Sequence, residues 1–450
     1  MRLLHFPLPK GLLVFLWWAS LPFGYAQTRT LTLDEAVKLG MEHSRQLKLS
    51  SGKVDVARLK IKQYWAAQVP NISLNSTYSH LSDNVTPFSI KVPNGTTLED
   101  RVLNPQILNQ FTNRLSVQQV LYSGLRAINF FKSSEILEKA IALDYEKDKI
   151  EIRNNIINAV LNLYKLQQTR RALDENLKLL RGRQTDTKNF VNQGTALEND
   201  LLKVDLAITQ VETIQKELDN GISSAQFTLT LLLGLPENGS NTEGVVLDEK
   251  TLFSDHSSLN LDAYLLAAKG GRPDVSAIEQ RRLASEKMLE VSKGGYMPIV
   301  SAGANLYLNN PNQRVFPQTD AFKGTWDVGL SLSWNISALY TNQFQVQEAQ
   351  VNLTQIGLQK EQLTEGIKTE VATAYYNYKT GLEKISLSDK AIVQANENHR
   401  VTKNRFDAQI ATMTELLDAD FLLFQSQINN ITGKTEAEIA YYKLMKAIGK

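Results

Sequence analysis

Trp326-Asp327-Val328-Gly329-Leu330-Ser331-Leu332-Ser333-Trp334 alternates apolar with polar or small residues, and a tryptophan closes each end of its apolar face. A period of two marks a strand that hides one face from water. Shortly before it, Val300, Ala302, Ala304, Leu306 and Leu308 alternate with Ser301, Gly303, Asn305 and Tyr307. Far upstream, Ile72, Leu74 and Tyr78 alternate with Ser73, Asn75 and Thr77, and Leu115 and Val117 with Arg114 and Ser116. Runs of about nine to eleven residues suit tilted strands that cross a bilayer. A half-buried antiparallel sheet in water has the same alternation, so the strands alone leave both readings open. Four strands enclose no lumen, and a barrel would therefore need three or more chains.

Each strand pair is followed by helix of unusual length. Leu125 to Arg181 holds neither Gly nor Pro over 57 residues. Its apolar positions Ile136, Ala140, Leu143, Ile150, Ile157, Leu161 and Tyr164 recur by threes, fours and sevens. That is coiled-coil-like spacing, and at ~1.5 Å per residue the helix would be on the order of 85 Å long. A turn at Gln193-Gly194-Thr195 and a return helix over Leu202 to Asn220 are expected. A second helical run starts near Asn342, breaks at Gln409 to Thr412 and returns to Ile448. The apolar seams are narrow and flanked by Asn, Gln, Lys and Glu, which suits helices touching two neighbours and water.

The chain also says the same thing twice. Thr32-Leu33-Asp34 recurs as Asn260-Leu261-Asp262, and the same shift of 228 carries Pro70 onto Pro298 and Ser73 onto Ser301. Further on the shift becomes 215, matching Leu115-Ser116-Val117 with Leu330-Ser331-Leu332 and Gly234 with Gly449. A segment around residues 82 to 111 is thus 13 residues shorter in the second copy, as an exposed loop would be. The organisation expected is a signal peptide over 1–26, a first repeat over 27–236, a linker over 237–258 and a second repeat over 259–450. Each repeat reads helix, two strands, long helical hairpin. Thr32 with Glu35 three residues on reads as a capping box that starts the first helix.

Arg2 and Lys10 flank the apolar stretch Gly11 to Leu21, and Gly24-Tyr25-Ala26 supplies small residues before a cut. This is the pattern of a secretory signal peptide. Its removal takes away two basic residues and no acid, leaving 47 of each sign and a formally neutral chain from Gln27. Nucleic acid is not an expected partner. There is no cysteine, hence no disulfide framework or thiolate metal site.

Sites with chemistry are scarce. His5, His43, His80, His256 and His399 are far apart, and none belongs to a His-Glu-x-x-His arrangement. Gly270-Gly271 reads as a turn, and no phosphate-cradling, dinucleotide or nucleophile-elbow fingerprint occurs. The expectation is no enzyme, no cofactor and no metal.

Several short motifs resemble those of the TolC-like outer-membrane efflux proteins: Leu31-Thr32-Leu33-Asp34-Glu35-Ala36, Gly271-Arg272-Pro273-Asp274, Gln119-Val120-Leu121-Tyr122-Ser123-Gly124 and Leu416-Leu417-Asp418-Ala419. Each is weak alone. In this order, inside a duplicated strand-strand-helix-helix plan, they carry a resemblance that extends over nearly all of residues 27–450. The resemblance implies an α+β membrane protein: a homotrimeric 12-stranded outer-membrane barrel, four strands per chain, continuous with a long periplasmic helical barrel. It implies an outer-membrane exit duct of a tripartite efflux or type I secretion system, passively linking an inner-membrane pump, through a periplasmic adaptor protein, to the exterior. A periplasmic coiled-coil adaptor or scaffold without a barrel is the alternative.

The chain departs from the family at two points. Trp334-Asn335-Ile336-Ser337-Ala338-Leu339 replaces the Gln-x-Leu-Tyr-x-Gly pattern, predicting a different strand-to-helix junction. Gln409-Ile410-Ala411 lacks the usual glycine, predicting a turn that differs in detail from the first. Glu415 and Asp418, three apart on one helix face, match family acids that ring the closed periplasmic aperture. Crowded there in three copies they would raise some of one another's pKa values and attract cations; alternatively they are first-turn acids that complement a helix N-terminus. Gly194, Thr195 and Ala196 with Ala411 and Thr412 are the expected adaptor-contact tips, or plain turn chemistry. Tyr78, Trp326 and Trp334 are expected girdle aromatics against outer-membrane lipid. Asn84 to Gln110 and Asn309 to Phe322 would be cell-surface loops.

Overall fold

Two helices of 67 and 70 residues, α3 (Arg126–Asn192) and α7 (Ala338–Asp407), set the length of the molecule, each on the order of 100 Å. The computed structural model describes residues 29–83, 88–104, 106–235, 245–247, 252–253, 260–316 and 318–450; the expected signal peptide and most of the expected linker lie outside them. Ahead of α3 come β1 (Arg29–Leu31), α1 (Leu33–His43), α2 (Arg45–Ala66), β2 (Asn71–His80), β3 (Phe88–Asn94), β4 (Thr97–Asn104) and β5 (Asn109–Tyr122). Between α3 and α7 lie α4 (Glu198–Leu233), β6 (Val245–Leu247), α5 (Leu261–Gly271), α6 (Pro273–Lys293), β7 (Ile299–Asn309) and β8 (Lys323–Ser333). The chain ends on α8 (Met413–Ala447).

Four strands form one antiparallel sheet in the order β2-β5-β7-β8. The helices leading into or out of them, α2, α3, α6 and α7, pack side by side in the same order. Towards the distal end α2 and α6 give way to α4 and α8, so the row becomes α4-α3-α8-α7. Every strand therefore continues into a helix, and the helical layer is the sheet's extension.

Burial follows the narrow seams. Instead of one core there are three along the axis. One joins Leu33 and Ala36 of α1 to Ile156, Val160 and Leu163 of α3 and Leu233 of α4. Another joins Tyr264 of α5 to Val371 of α7 and Leu444 of α8. The distal core brings Leu173 and Leu180 of α3 to Val204 of α4 and Phe424 of α8. Each fully buried Leu, Ile or Val here contributes roughly 1.5–3 kcal/mol.

Local signals explain the element ends. Thr32 and Glu35 form the expected capping box, Thr32 Oγ1 accepting from Glu35 N at 3.2 Å and Glu35 from Thr32 N at 3.3 Å. The Gly271-Arg272-Pro273-Asp274 motif is a brace. Arg272 donates to both oxygens of Asp274, at 3.0 and 2.7 Å, to Glu370 of α7 at 2.5 Å and to the Ala447 carbonyl at 3.0 Å, which ends α8. Burial pushes the Asp274 carboxyl up, but the Arg272 bonds outweigh it and hold the group below the usual range.

Some expectations need correction. Gly270-Gly271 is the last turn of α5, not a separate turn. Within the segment expected as a plain surface loop, β3 and β4 form a hairpin turning at Asn94-Gly95, with Gly95 at φ +65. Residues expected as a linker take part in the fold: β6 pairs in parallel with β1, and Leu252 is buried in the α1–α3–α4 core. No described helix is long and apolar enough to cross a membrane.

Candidate functional site: a two-faced sheet and paired helical tips

Outside the β5–β7 irregularity between Val120 and Tyr122, the ladder register sorts the sheet's side chains onto two faces. One face carries Ile72 and Leu74, Leu115 and Val117, Ala304 and Leu306, and Val328 and Trp326 in rows across the four strands. The opposite face carries Ser73 and Asn75, Arg114 and Ser116, Asn305 and Tyr307, and Asp327 and Thr325. The apolar face has nothing over it: Leu74, Val328 and Leu330 are each more than 70% exposed. The outer edges of β2 and β8 pair with no strand among the described residues. A sheet with its apolar face uncovered and both edges unpaired is incomplete as a water-soluble unit.

The girdle candidates sit on the apolar face or at its end. Trp326 is 74% exposed, and Trp334, just beyond β8, donates through Nε1 to the Tyr296 carbonyl at 3.1 Å. Tyr78 stacks on Phe111 at 4.8 Å between centroids, and Phe111 on Phe322 at 5.6 Å. Phe111 and Phe322 were not singled out from sequence, because neither falls in a long alternating run.

At the distal end the two hairpins close with the same backbone device. In the first, Gly194 at φ +73 ends α3, Gly194 N bonding Val191 O at 3.0 Å and Thr195 N bonding Phe190 O at 2.9 Å. In the second, Gln409 at φ +62 ends α7, Gln409 N bonding Phe406 O at 2.8 Å and Ile410 N bonding Arg405 O at 2.8 Å. The missing glycine leaves the positive φ and the paired bonds in place, and the turn differs only in detail, by an added Ala411 N to Arg405 O bond at 3.2 Å and a side-chain cap at Thr412. The paired hydrogen bonds hold Gln409 in the left-handed region at a steric cost of roughly 1–2 kcal/mol. The other predicted departure is present: Gly124 and Leu125 are both left-handed before α3, whereas Ser337 before α7 is right-handed.

The structure brings the tip residues together. Lys203 of α4 donates to Asp200 at 3.2 Å and to Thr414 of α8 at 3.1 Å, tying one tip to the other. Gly194, Thr195 and Thr412 are exposed, while Ala196 and Ala411 are partly covered. Leu197 and Ile410 lie beside them, 70% and 68% exposed, two apolar side chains that small-residue reasoning passed over.

Glu415 and Asp418 differ in their surroundings. Glu415 completes a second capping box, accepting from Thr412 N at 2.7 Å while Thr412 Oγ1 accepts from Glu415 N at 3.2 Å. Arg405 stands 4.0 Å away across the turn. Within one chain the Glu415 carboxyl is held below its usual range, chiefly by the Thr412 backbone bond. That is the opposite direction to the one expected of crowded acids. Asp418 is exposed, and no partner to it is present among the described residues.

A buried charge cluster that sequence did not reveal links the hairpins above the tips. Arg183 of α3, His399 of α7 and Asp420 of α8 converge, Asp420 being 3% exposed. Among the described residues no group of His, Asp and Glu is placed to hold a metal ion.

Residues 265–450 match the family model described as "Outer membrane efflux protein". The matched segment runs from α5 through α8. The chain also shares its fold with solved outer-membrane proteins at low identity. The outer membrane protein VceC of Vibrio cholerae is 15% identical, over 93% of this chain and 96% of that one, with a TM-score of 0.75. The CmeC outer membrane channel of Campylobacter jejuni is 14% identical, over 99% and 94%, with a TM-score of 0.75. The open state of the MtrE outer membrane channel of Neisseria gonorrhoeae is 14% identical, over 96% and 93%, at 0.75. No curated protein matches the sequence. The fold is therefore the one seen in these solved channels.

Proposed function

We propose that three copies of this chain close into one efflux duct, a 12-stranded barrel in the outer membrane continuous with a helical tube in the periplasm. The duct passively conducts solutes from an inner-membrane pump, through a periplasmic adaptor, to the exterior. The carrying observation is the two-faced sheet: apolar on one side, polar on the other, open at β2 and β8, and continued strand by strand into helices. Lipid would cover the apolar face, and closure would pair every strand edge. The open edges of the helical row agree. Leu49 and Val56 of α2, and Phe344, Val351 and Leu358 of α7, are exposed apolar residues at seven-residue spacing. A barrel-free adaptor or scaffold would leave these surfaces and the sheet face without an occupant.

On this reading the chain is two copies of one repeat, a history supported by the matching backbone bonds of the two tips at a shift of 215. Tyr78, Trp326 and Trp334 stand in the lipid girdle. Gly194, Thr195, Ala196, Ala411 and Thr412 receive the adaptor, with Leu197 and Ile410 as apolar anchors. Glu415 and Asp418 line the periplasmic aperture. The loops at 84–110 and 309–322 face outwards, so a tag beside Asn94, at the turn of the β3–β4 hairpin, is reachable on intact cells. The test is the mass of the detergent-extracted protein. A trimer is expected; a monomer, or release without detergent, would overturn the duct.

A further inference from the structure

The connection from β7 to β8 does not stand clear of the sheet but folds back onto its polar face. Asn310 extends the ladder by exchanging backbone bonds with Phe111 at 2.7 and 2.9 Å. Asn312, 2% exposed, is the pin. Its Nδ2 donates to the Lys323 carbonyl at 2.7 Å and to Thr325 Oγ1 at 3.2 Å, and its Oδ1 accepts from Arg314 N at 2.9 Å. Held this way, Arg314 lies over the Tyr307 ring at 4.0 Å and donates to Asp327 at 2.6 Å. The other Asp327 oxygen accepts from Asn305 at 2.7 Å. Arg114 stands opposite Tyr307 in the ladder, on the same face, and has no ion-pair partner among the described residues.

The charges on this face are unbalanced. Its strand residues include Arg114, Lys323 and Asp327, and the loop adds Arg314 and Asp320: three cations to two acids in each chain. They cluster towards the end of the sheet farthest from the helices, since β8 enters there at Lys323 and leaves at Ser333.

We propose that the exit end of the duct carries a cationic collar built from Arg114 and Arg314, opposite in sign to the acids of the periplasmic tips, and that it attracts small polyanions. This rests on the trimeric duct, in which the polar face lines the lumen. Twelve strands spaced ~4.8 Å apart and tilted about 40° give a wall radius of roughly 12 Å. Arg114, and Arg314 stacked on Tyr307, reach inward from that wall. The Debye length is about 10 Å at 0.1 M salt and about 3 Å at 1 M, so the three sets of charges overlap across the opening only at low salt. Charged rings of this kind set ion preference in pores. Asp327 both positions Arg314 and subtracts from the collar's charge.

The test uses the purified trimer in planar bilayers at 0.1 M KCl, with inorganic tripolyphosphate added on the exterior side. Block of the wild-type current is expected, and at 1 M KCl the block should largely vanish. Arg114→Gln with Arg314→Gln should weaken it at least fivefold. Asp327→Asn should strengthen it, an opposite sign that a mere loss of structure would not give. Block by hexaamminecobalt(III) from the periplasmic side should be the same in all variants. Equal tripolyphosphate block in every variant, or weakening by Asp327→Asn, would overturn the collar while leaving the duct intact. A folded trimer that passes no current would overturn the duct, and the collar with it.

Discussion

His399 Nε2 lies 2.9 Å from Asp420 Oδ1, while Arg183 Nε approaches the other carboxylate oxygen at 3.5 Å. The three groups belong to α7, α8 and α3, so this cluster is a charged contact between the two hairpins in the distal half. Burial pushes the Asp420 carboxyl up, and Arg183 and His399 only partly oppose it. Neither Asp420 oxygen finds well-directed hydrogen-bond geometry. The cluster is therefore a device of specificity more than of stability, holding the hairpins in one register.

The consequence for mutation is asymmetric. Asp420→Ala strands Arg183 without its counter-charge and should cost on the order of 3 kcal/mol. Replacing all three by apolar residues, Arg183→Met, His399→Leu and Asp420→Leu, should restore most of that loss. Thermal unfolding of the trimer in detergent reads both. A triple variant as weak as the single one would show the cluster to be a net stabiliser. Because the folded-state pKa of Asp420 is raised, its contribution is present at low pH and lost as pH rises through that value. Acid should not weaken this contact.

Glu279 should behave in the opposite way. It accepts from Arg282 within α6 and from Lys360 of α7 at 2.8 Å, and these bonds lower its carboxyl to about 2. A depressed folded-state value means stability present above the ordinary range near 4.5 and lost as pH falls towards 2. The side chain is 31% exposed, so solvent screening limits the effect to about 1 kcal/mol. Glu279→Gln should flatten the acid limb of a stability–pH curve between 5 and 2. An unchanged limb would show that the pair contributes nothing.

At the second tip, Gln409→Gly should stabilise the turn by about 1 kcal/mol, because it relieves a left-handed side chain. Gly194→Ala should destabilise the first by a similar amount. Hydrogen exchange at the tip amides reports each locally. The same sign for both substitutions would contradict the shared turn geometry.

The long helices, the four membrane-length strands and the first capping box were legible because their signals are local and periodic. The β3–β4 hairpin was legible too, in Asn94-Gly95 between apolar runs, but the length of its segment suggested a loop. Parallel pairing of β1 with β6 leaves no local trace, because three residues carry no period. The Arg183–His399–Asp420 cluster could not be read either, since its members lie more than 200 residues apart between α3 and α8. At Gln409 the sequence rule failed for a physical reason: two backbone bonds outweigh the steric cost of a side chain at positive φ. The acid pair was visible in sequence, but the division of labour within it was not.

That division sharpens the gating prediction. Glu415 completes the capping box at the start of α8 and faces Arg405, whereas Asp418 is exposed and free of partners among the described residues. In three copies Asp418 supplies the charge most available to a cation in a narrow aperture, and Coulomb terms there exceed those in bulk water. Glu415→Ala would confuse two effects, because it also breaks the cap at a cost of about 1 kcal/mol. Glu415→Gln keeps a side-chain acceptor for the Thr412 N–H and removes only the charge. Asp418→Asn alone should therefore weaken hexaamminecobalt(III) block from the periplasmic side by about tenfold, and Glu415→Gln should weaken it less. Adding Glu415→Gln to Asp418→Asn should abolish the block with the trimer still assembled. Should Glu415→Gln prove the stronger of the two, the cap is broken in the resting trimer and Glu415 faces the aperture. If neither substitution changes block or cation preference, both acids serve only the start of α8 and the aperture lies elsewhere.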